Sequence, residues 1–297
     1  MSLSRDYLGL LMSRRPYIWE GRDKRLELGK HTRVMGVVNI TPDSFSDGGQ
    51  FLEREKAVEQ CLRLVESGAH MLDLGGESSR PGAGAVLEEV ELERIMPVLQ
   101  EVRQKVSVPI SIDTYKAEVA RQVLSEGADA INDISAFRFD AKMPAVVKEW
   151  DAGIILMHMR GTPKEMQQLP PSLNILQDIR SDLQVAISKA FQHGVERERI
   201  MIDPGIGFGK TVEDNCQILN QLSFLEPLQL PILVGSSRKN FLGRILNRPE
   251  GQRSWGSAAS VAAAIMRGAH VVRVHDVEEM EQVARVTDSI LSESVLQ

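Results

Sequence analysis

Three short stretches of this 297-residue chain repeat one pattern: "SGAHMLDLGG" at 67–76, "EGADAINDIS" at 126–135 and "RGAHVVRVHD" at 267–276. Each has a Gly-Ala pair, an acid or histidine, a short apolar run and then polar residues. A glycine in the left-handed conformation ends a helix, and the chain passes straight into a strand. The residues ahead of the first two glycines agree. Val58, Cys61, Leu62 and Val65 precede Gly68 at helical spacing, as Val119, Ala120, Val123 and Leu124 precede Gly127. Leu92, Ile95, Met96 and Leu99 mark a further amphipathic helix. Five more apolar runs ("VMGVVNI", "VPISID", "AGIILMH", "RIMIDP" and "PILVGS") complete a set of eight strand candidates, near 34–40, 69–74, 108–113, 129–133, 153–158, 199–203, 231–235 and 270–274. Aliphatic runs alternating with helical patterns imply a parallel sheet. Eight such units favour a closed α/β barrel, (β/α)8, over an open doubly wound sheet. No Pro/Gly/Ser-rich linker or low-complexity segment divides the chain. The expected organisation is a single-domain TIM barrel over residues 34–297, with residues 1–33 an N-terminal extension covering the barrel bottom.

Composition narrows the function classes. The net charge of −6 and pI near 5.6 argue against a nucleic-acid binder working by bulk charge. An anionic substrate must therefore be met by a local cluster of cations. No apolar run approaches the length of a membrane span, and "LGLLM" followed by "SRRP" lacks a signal-peptide cleavage pattern. Cys61 and Cys216 have no metal-ligand spacing and read as reduced, buried or half-buried thiols of a cytoplasmic protein.

The candidate strands end in polar residues: Asn39, Asp73, Asp113, Asn132 with Asp133, His158, Asp203, Ser236 with Ser237, and Arg273 with His275. A strand buried on both faces is apolar throughout, whereas the C-terminal mouth of a barrel carries the active site. Any one of these residues is equally well explained as a helix cap, with Thr114 a better N-cap candidate than Asp113. Eight polar ends together point to a site. Of adjacent Asn132 and Asp133 only one side chain can face inward. An inward Asn132 with Asp113 and Asp203 presents donors and acceptors suited to the edge of a heterocycle bearing several N–H groups, and such a ring is a partner for buried carboxylates.

"IDPGIGFGKT" (202–211) nearly matches a phosphate-binding Walker A loop, but Pro204 replaces the first glycine, and it misses the dinucleotide fingerprint too. Gly205, Gly207 and Gly209 fit close backbone approach or a tight passage. Lys210 is expected to face water, with an anion the alternative. "GSSRKNF" (235–241) and "RVHD" (273–276) follow the seventh and eighth strands, where such barrels often bind phosphate. Arg273 offers a fork of donors, Lys239 a point charge and His275 a further donor. Cations at a helix start, Arg238 and Lys239, oppose its dipole, so use of at least one in the site is expected. "VVNITPDSFSDGGQF" (37–51) runs from an apolar strand into a loop of small hydrogen-bonding groups and two acids.

Seven motifs, "NITPDSFSDGG", "LDLGGESSRPG", "SIDT", "INDIS", "IDPGIGFGK", "SSRK" and "RVHD", resemble in order those of the dihydropteroate synthase family, and span most of the chain. The resemblance implies an enzyme of folate biosynthesis. It joins 6-hydroxymethyl-7,8-dihydropterin diphosphate to p-aminobenzoate, with Mg²⁺ as cofactor and sulfonamides as competitors, and works as a homodimer. By motif position it implies pterin contacts from Asp113, Asn132, Met157, Asp203, Phe208, Gly235 and Lys239. Asn39, Asp43, Arg80, Arg273 and His275 would serve the diphosphate, and Asn39 the metal. Phe45, Ser79, Arg80, Pro81 and Ser237 would form the p-aminobenzoate pocket. Asp47, Lys239, Arg273 and His275 would act in catalysis, Asp47 by stabilising a cationic pterin methylene. On this reading the 39–49 loop closes over bound diphosphate and excludes water, with Gly48 and Gly49 as hinge. Two positions depart from the family: Ser79 stands where Thr is usual, and Ile206 where an aromatic is common, the latter expected to change packing only. A pterin-binding methyltransferase barrel would not need the first loop or "SSRK". An inactive partner subunit would be expected to lose Asp113, Asp203, Lys239 or that loop. Helices late in the barrel, with Val261, Ala262, Ile265 and Met266, are a candidate dimer face or ordinary barrel packing.

Overall fold

The computed structural model describes residues 14–41, 49–79, 82–166 and 168–294, with backbone alone at 49–52. A hairpin, β1 (Tyr17–Glu20) and β2 (Arg25–Leu28), comes first. Eight parallel strands follow: β3 (Arg33–Asn39), β4 (Met71–Gly75), β5 (Ile110–Asp113), β6 (Ala130–Asp133), β7 (Gly153–Met157), β8 (Ile200–Asp203), β9 (Leu233–Val234) and β10 (Val271–Val274). They pair in chain order from β3 to β8, with β10 between β3 and β9, and a parallel bridge from Ile202 to Ile232 joins β8 to the β9 segment and closes the barrel. The helices around it are α1 (Gly49–Glu66), α2 (Glu88–Arg103), α3 (Ala117–Ser125), α4 (Met143–Glu149), α5 (Ile175–Gln192), α6 (Val212–Asn220), α7 (Asn240–Leu246), α8 (Ser254–Met266) and α9 (Val277–Leu291). The chain is a TIM barrel.

The repeated Gly-Ala-acid/His pattern has a structural cause. Gly68, Gly127 and Gly268 have φ of 100°, 97° and 106°, the left-handed helix ends expected for glycine. The acid or histidine two residues on then serves the neighbouring strand. His70 Nδ1 accepts from Val34 N (3.2 Å), Asp129 Oδ2 from Ile110 N (2.8 Å) and His270 Nδ1 from Ile232 N (3.1 Å). Each satisfies a buried amide where a strand enters the barrel. Burial pushes both histidines down to about 4, which keeps the accepting nitrogen free of its proton.

Strand alternation sorts the core into two. Val34, Val38, Leu72, Leu74, Ile110, Ile112, Ile131, Ile154, Leu156, Ile200, Ile202, Val234, Val272 and Val274 face the helices. The opposite parity fills the barrel interior. At its N-terminal end Met35, Met71, Ala130, Ile155, Met201, Leu233 and Val271 pack with Leu28 and the fully buried Trp19 of the hairpin. Trp19 Nε1 donates to Arg199 O at 3.2 Å. Gly153 opens β7 because a Cβ there would overlap the Trp19 ring. The barrel floor is thus plugged by an aromatic side chain, and its interior is free to be polar only at the other end. Of the two cysteines Cys61 is buried, but Cys216, expected at least half-buried, is exposed on α6. Val261 and Ile265 of α8 pack into the core, while Met266 is exposed.

Candidate active site

The same parity brings Asn39, Asp73, Asp113, Asn132, Met157, Asp203, Gly235 and Arg273 into the barrel mouth. Their wiring centres on Asp73, which is fully buried. It accepts from Ser111 Oγ, from Asn132 Nδ2 (3.0 Å) and from Arg273 Nε (2.6 Å). The Arg273 guanidinium also donates to Asp113 Oδ2 at 2.9 Å. Burial works against the Arg273 charge, but Asp73 and Asp113 outweigh it and hold its pKa above the ordinary value. Burial raises Asp113, Arg273 opposes that rise, and the Asp73 charge adds to it. With its amide N–H2 committed to Asp73, Asn132 leaves its buried Oδ1 without a hydrogen-bond partner. A buried acceptor left in that state marks a place for a donor from a ligand.

Across the mouth, burial pushes Asp203 up to about 6 although Gly205 N donates to its Oδ1 at 2.7 Å and Lys239 and Lys210 attract its charge. The Lys239 ammonium lies 4.1 Å from the centroid of the Phe208 ring, a cation–π contact. Phe208 packs with Ile134, Met157, Met159 and Met166, a small apolar cluster at the C-terminal end of the barrel. The mouth therefore joins an apolar wall to a rim of two carboxylates, one unsatisfied amide oxygen and two cations, which suits a flat heterocycle with several N–H groups.

Parity also identifies the polar strand ends that serve structure. Asp133 faces away and accepts from Ser135 N, Ser135 Oγ and Phe137 N at 2.7–2.8 Å. Ser236 bonds Ser260 of α8 (2.9 Å), and His158 lies 3.5 Å from Asp182 of α5. Thr114 caps nothing within α3; it accepts from Lys116 N, and Asp140 reaches across to Ala117 N instead. After β9, Arg238 pairs with Asp276, and Lys239 is the cation of "SSRK" whose charge acts on Asp113 and Asp203. His275 Nδ1 lies 3.2 Å from Ser237 Oγ. Burial, then Arg273, Arg238 and Lys239, push His275 down to about 3, so it is neutral near pH 7.

Residues 35–275 match the family model described as pterin binding enzyme. A dihydropteroate synthase of Synechocystis sp. is 48% identical over 263 residues, 88% of this chain and 91% of that protein. Among solved structures, a Xanthomonas albilineans dihydropteroate synthase with 4-aminobenzoic acid superposes with a TM-score of 0.87 at 39% identity, covering 93% of this chain and 98% of that one. A Clostridium difficile dihydropteroate synthase in the presence of pteroic acid gives 0.85 at 40% identity, covering 89% and 98%. The chain belongs to the dihydropteroate synthase family.

Of the family positions named from sequence, Asp43, Phe45, Asp47, Gly48, Arg80 and Pro81 lie outside the described residues. Ser79 is half-buried in the loop between β4 and α2, and that loop is held from both sides. Glu77 accepts from Val86 N (3.2 Å) and from Tyr115 OH (2.7 Å) and pairs with Lys116, which also reaches the buried Glu91. Gly82 N donates to Pro163 O (3.1 Å). Ile206 is buried in the barrel–helix core, a packing position. Sequence reading assigned no role to Asp73 or Glu77. The signal for Asp73 was present: it shares the parity of Asp113 and lies opposite Ser111 in register. Lys210, expected to face water, is half-buried, and its Nζ donates to His158 O (3.2 Å), Gly205 O (2.8 Å) and Phe208 O (3.1 Å).

Proposed function

We propose that this chain condenses 6-hydroxymethyl-7,8-dihydropterin diphosphate with p-aminobenzoate to give 7,8-dihydropteroate and diphosphate, in the cytoplasm, with the barrel of residues 34–297 as catalytic unit and residues 1–33 as its floor. The observation that carries the reading is the unpartnered Asn132 Oδ1 set among Asp113 and Asp203 at the barrel mouth. The pterin ring donates N–H groups to these three acceptors and packs on Met157 and Phe208, beside Gly235 and under the Lys239 ammonium. Arg273 has five N–H donors; those beyond its bonds to Asp73 and Asp113 serve the diphosphate, with neutral His275, Asn39, Asp43 and Arg80. Phe45, Ser79, Arg80, Pro81 and Ser237 form the p-aminobenzoate pocket.

The C–O bond to diphosphate breaks with its electron pair leaving on diphosphate, and the pterin ring shares the positive charge left on the methylene carbon. The arylamine nitrogen then bonds to that carbon, and the amine proton passes to solvent. Arg273 and Lys239 oppose the negative charge that develops on the leaving group, while Asp47 steadies the positive charge on the carbon. Asn39 suits Mg²⁺. No group of three His, Cys, Asp or Glu side chains among the described residues is placed to hold a metal, and Mg²⁺ commonly takes one or two protein oxygens with substrate phosphates and waters. When bound there, Mg²⁺ supplies further neutralisation of the diphosphate. Competition by sulfonamides at the p-aminobenzoate pocket is supported by a 38% identical Yersinia pestis dihydropteroate synthase solved as a sulfonamide drug complex. A homodimer is proposed through α7 and α8, where Ile245, Leu246, Trp255 and Met266 are exposed. The test is a coupled assay of diphosphate release with Mg²⁺ and both substrates, repeated with Asp203→Asn. Release that needs p-aminobenzoate, yields dihydropteroate and collapses in the variant is expected. Folded wild-type protein that binds the pterin substrate but releases no diphosphate would overturn the reading.

A further inference from the structure

Lys210 is a half-buried lysine that the proposed chemistry does not use. Its ammonium carries three protons and no acceptor, and three main-chain carbonyls receive them: His158 O from the loop after β7, Gly205 O and Phe208 O from the loop after β8. The two loops approach too closely for side chains. A Cβ at Gly205, which has φ of 67°, would collide with the His158 carbonyl, and one at Gly209 would crowd the Arg160 backbone. Two of the three carbonyls that Lys210 gathers belong to residues of the pterin pocket. Gly205 gives its N–H to Asp203 Oδ1 (2.7 Å), and Phe208 places its ring beneath the Lys239 ammonium. From the far side, Asn215 of α6 accepts from Gly207 N (2.7 Å) and donates to Thr211 O (2.6 Å).

We infer that Lys210 is a positioning residue for the pterin pocket: its ammonium ties the loops after β7 and β8 together and so fixes the Asp203 carboxylate and the Phe208 ring, without touching substrate. The inference rests on the proposed function for its reaction but not for its geometry. Burial works against the Lys210 charge and pushes its pKa down to about 7, while the Asp203 charge opposes that fall. Loosening this tie changes where two of the pterin contacts stand. The p-aminobenzoate residues sit on other loops.

Lys210→Met keeps the stem and removes all three donors, and Lys210→Gln returns two. Both enzymes are to be assayed for kcat and for the KM of each substrate, and titrated calorimetrically with pteroic acid. The expected result for Lys210→Met is a KM for the dihydropterin diphosphate raised about tenfold, with the KM for p-aminobenzoate changed less than about twofold and pteroic acid bound about tenfold more weakly. Lys210→Gln is expected to fall between it and wild type, and it carries the same comparison should Lys210→Met not fold. Wild-type constants in a folded Lys210→Gln enzyme, or equal loss for both substrates, would overturn the inference. Failure of the wild type to turn over while it still binds pteroic acid counts against the reaction assigned here. The calorimetric comparison of variants then still decides the role of Lys210.

Discussion

Asp73→Asn is the substitution that most directly tests the wiring of the barrel mouth. It preserves shape, but the buried carboxylate becomes an amide with one acceptor where Ser111, Asn132 and Arg273 all donate. Its NH2 group must then face at least one donor. Removing one member of a buried ion pair typically costs ~3–5 kcal/mol. Arg273 retains Asp113 at 2.9 Å, which places the loss near the lower end, about 3 kcal/mol. At ~2 °C per kcal/mol for a chain of this size, the melting temperature should fall by about 6 °C. Function should fall further. Arg273 is drawn wholly onto Asp113, an acceptor the pterin needs, and the Asn132 amide loses the carboxylate that orients it. We expect kcat/KM for the pterin substrate to drop by ~10–100-fold, with KM for p-aminobenzoate little changed. Ser111→Ala at the same carboxylate leaves the charge in place and should cost only about 1 kcal/mol. Loss of the Asp73 charge also removes one influence that raises Asp113, so the acidic limb of the pH profile should move to lower pH. Thermal melts and steady-state kinetics over both substrates read these effects. An Asp73→Asn enzyme with wild-type melting temperature and pterin kcat/KM would refute the assignment of Asp73 as organiser of the site.

Asp203 and Asp113, both raised by burial, make activity pH-dependent. The raised Asp203 pKa of about 6 means it holds a proton to higher pH than an ordinary carboxyl, and acceptance of pterin N–H groups needs the ionised form. Burial raises Asp113 as well, to about 7, so pterin kcat/KM should begin to fall as pH drops below about 7 and steepen below about 6. His275, pushed down to about 3, does not titrate in that window, and a flat profile between pH 5 and pH 7 would exclude both Asp203 and Asp113 as acceptors that must be ionised. Trp19→Ala should destabilise by ~3–5 kcal/mol through loss of the barrel plug while leaving both KM values near wild type. A shift in pterin KM at unchanged stability would contradict the separation of floor and mouth. Chelation of divalent metal should stop diphosphate release but leave pteroic acid binding, measured calorimetrically, within about twofold. Loss of pteroic acid binding would instead make the metal a structural part of the pocket.

Fold and site differ in how far the primary structure reveals them, and the difference has a physical basis. The eight strands were legible because each is a local pattern: an apolar run, a left-handed glycine, a helical stripe. The site residues were legible as a set for the same reason, since polarity at a strand end is local too. Alternation then separates the inward Asn132 from Asp133, but not whether His158 or Ser236 turns to a helix, because residues beyond the strand no longer obey its period. The role of Asp73 depends on Arg273, which is 200 positions away, and on Ser111 in register beside it. No short-range pattern encodes either contact. Lys210 shows the converse case. Its motif neighbours suggested an anion or solvent, yet the backbone around Gly205 and Gly209 supplies carbonyls, and composition carries no trace of where carbonyls point. A charged side chain in a glycine-rich loop can thus be a structural tie, and only main-chain geometry distinguishes it from a ligand. The two lysines of this mouth make the distinction concrete. Lys239 holds its ammonium 4.1 Å from the Phe208 ring, where its charge acts on Asp113 and Asp203, whereas the three bonds of Lys210 run to main-chain carbonyls.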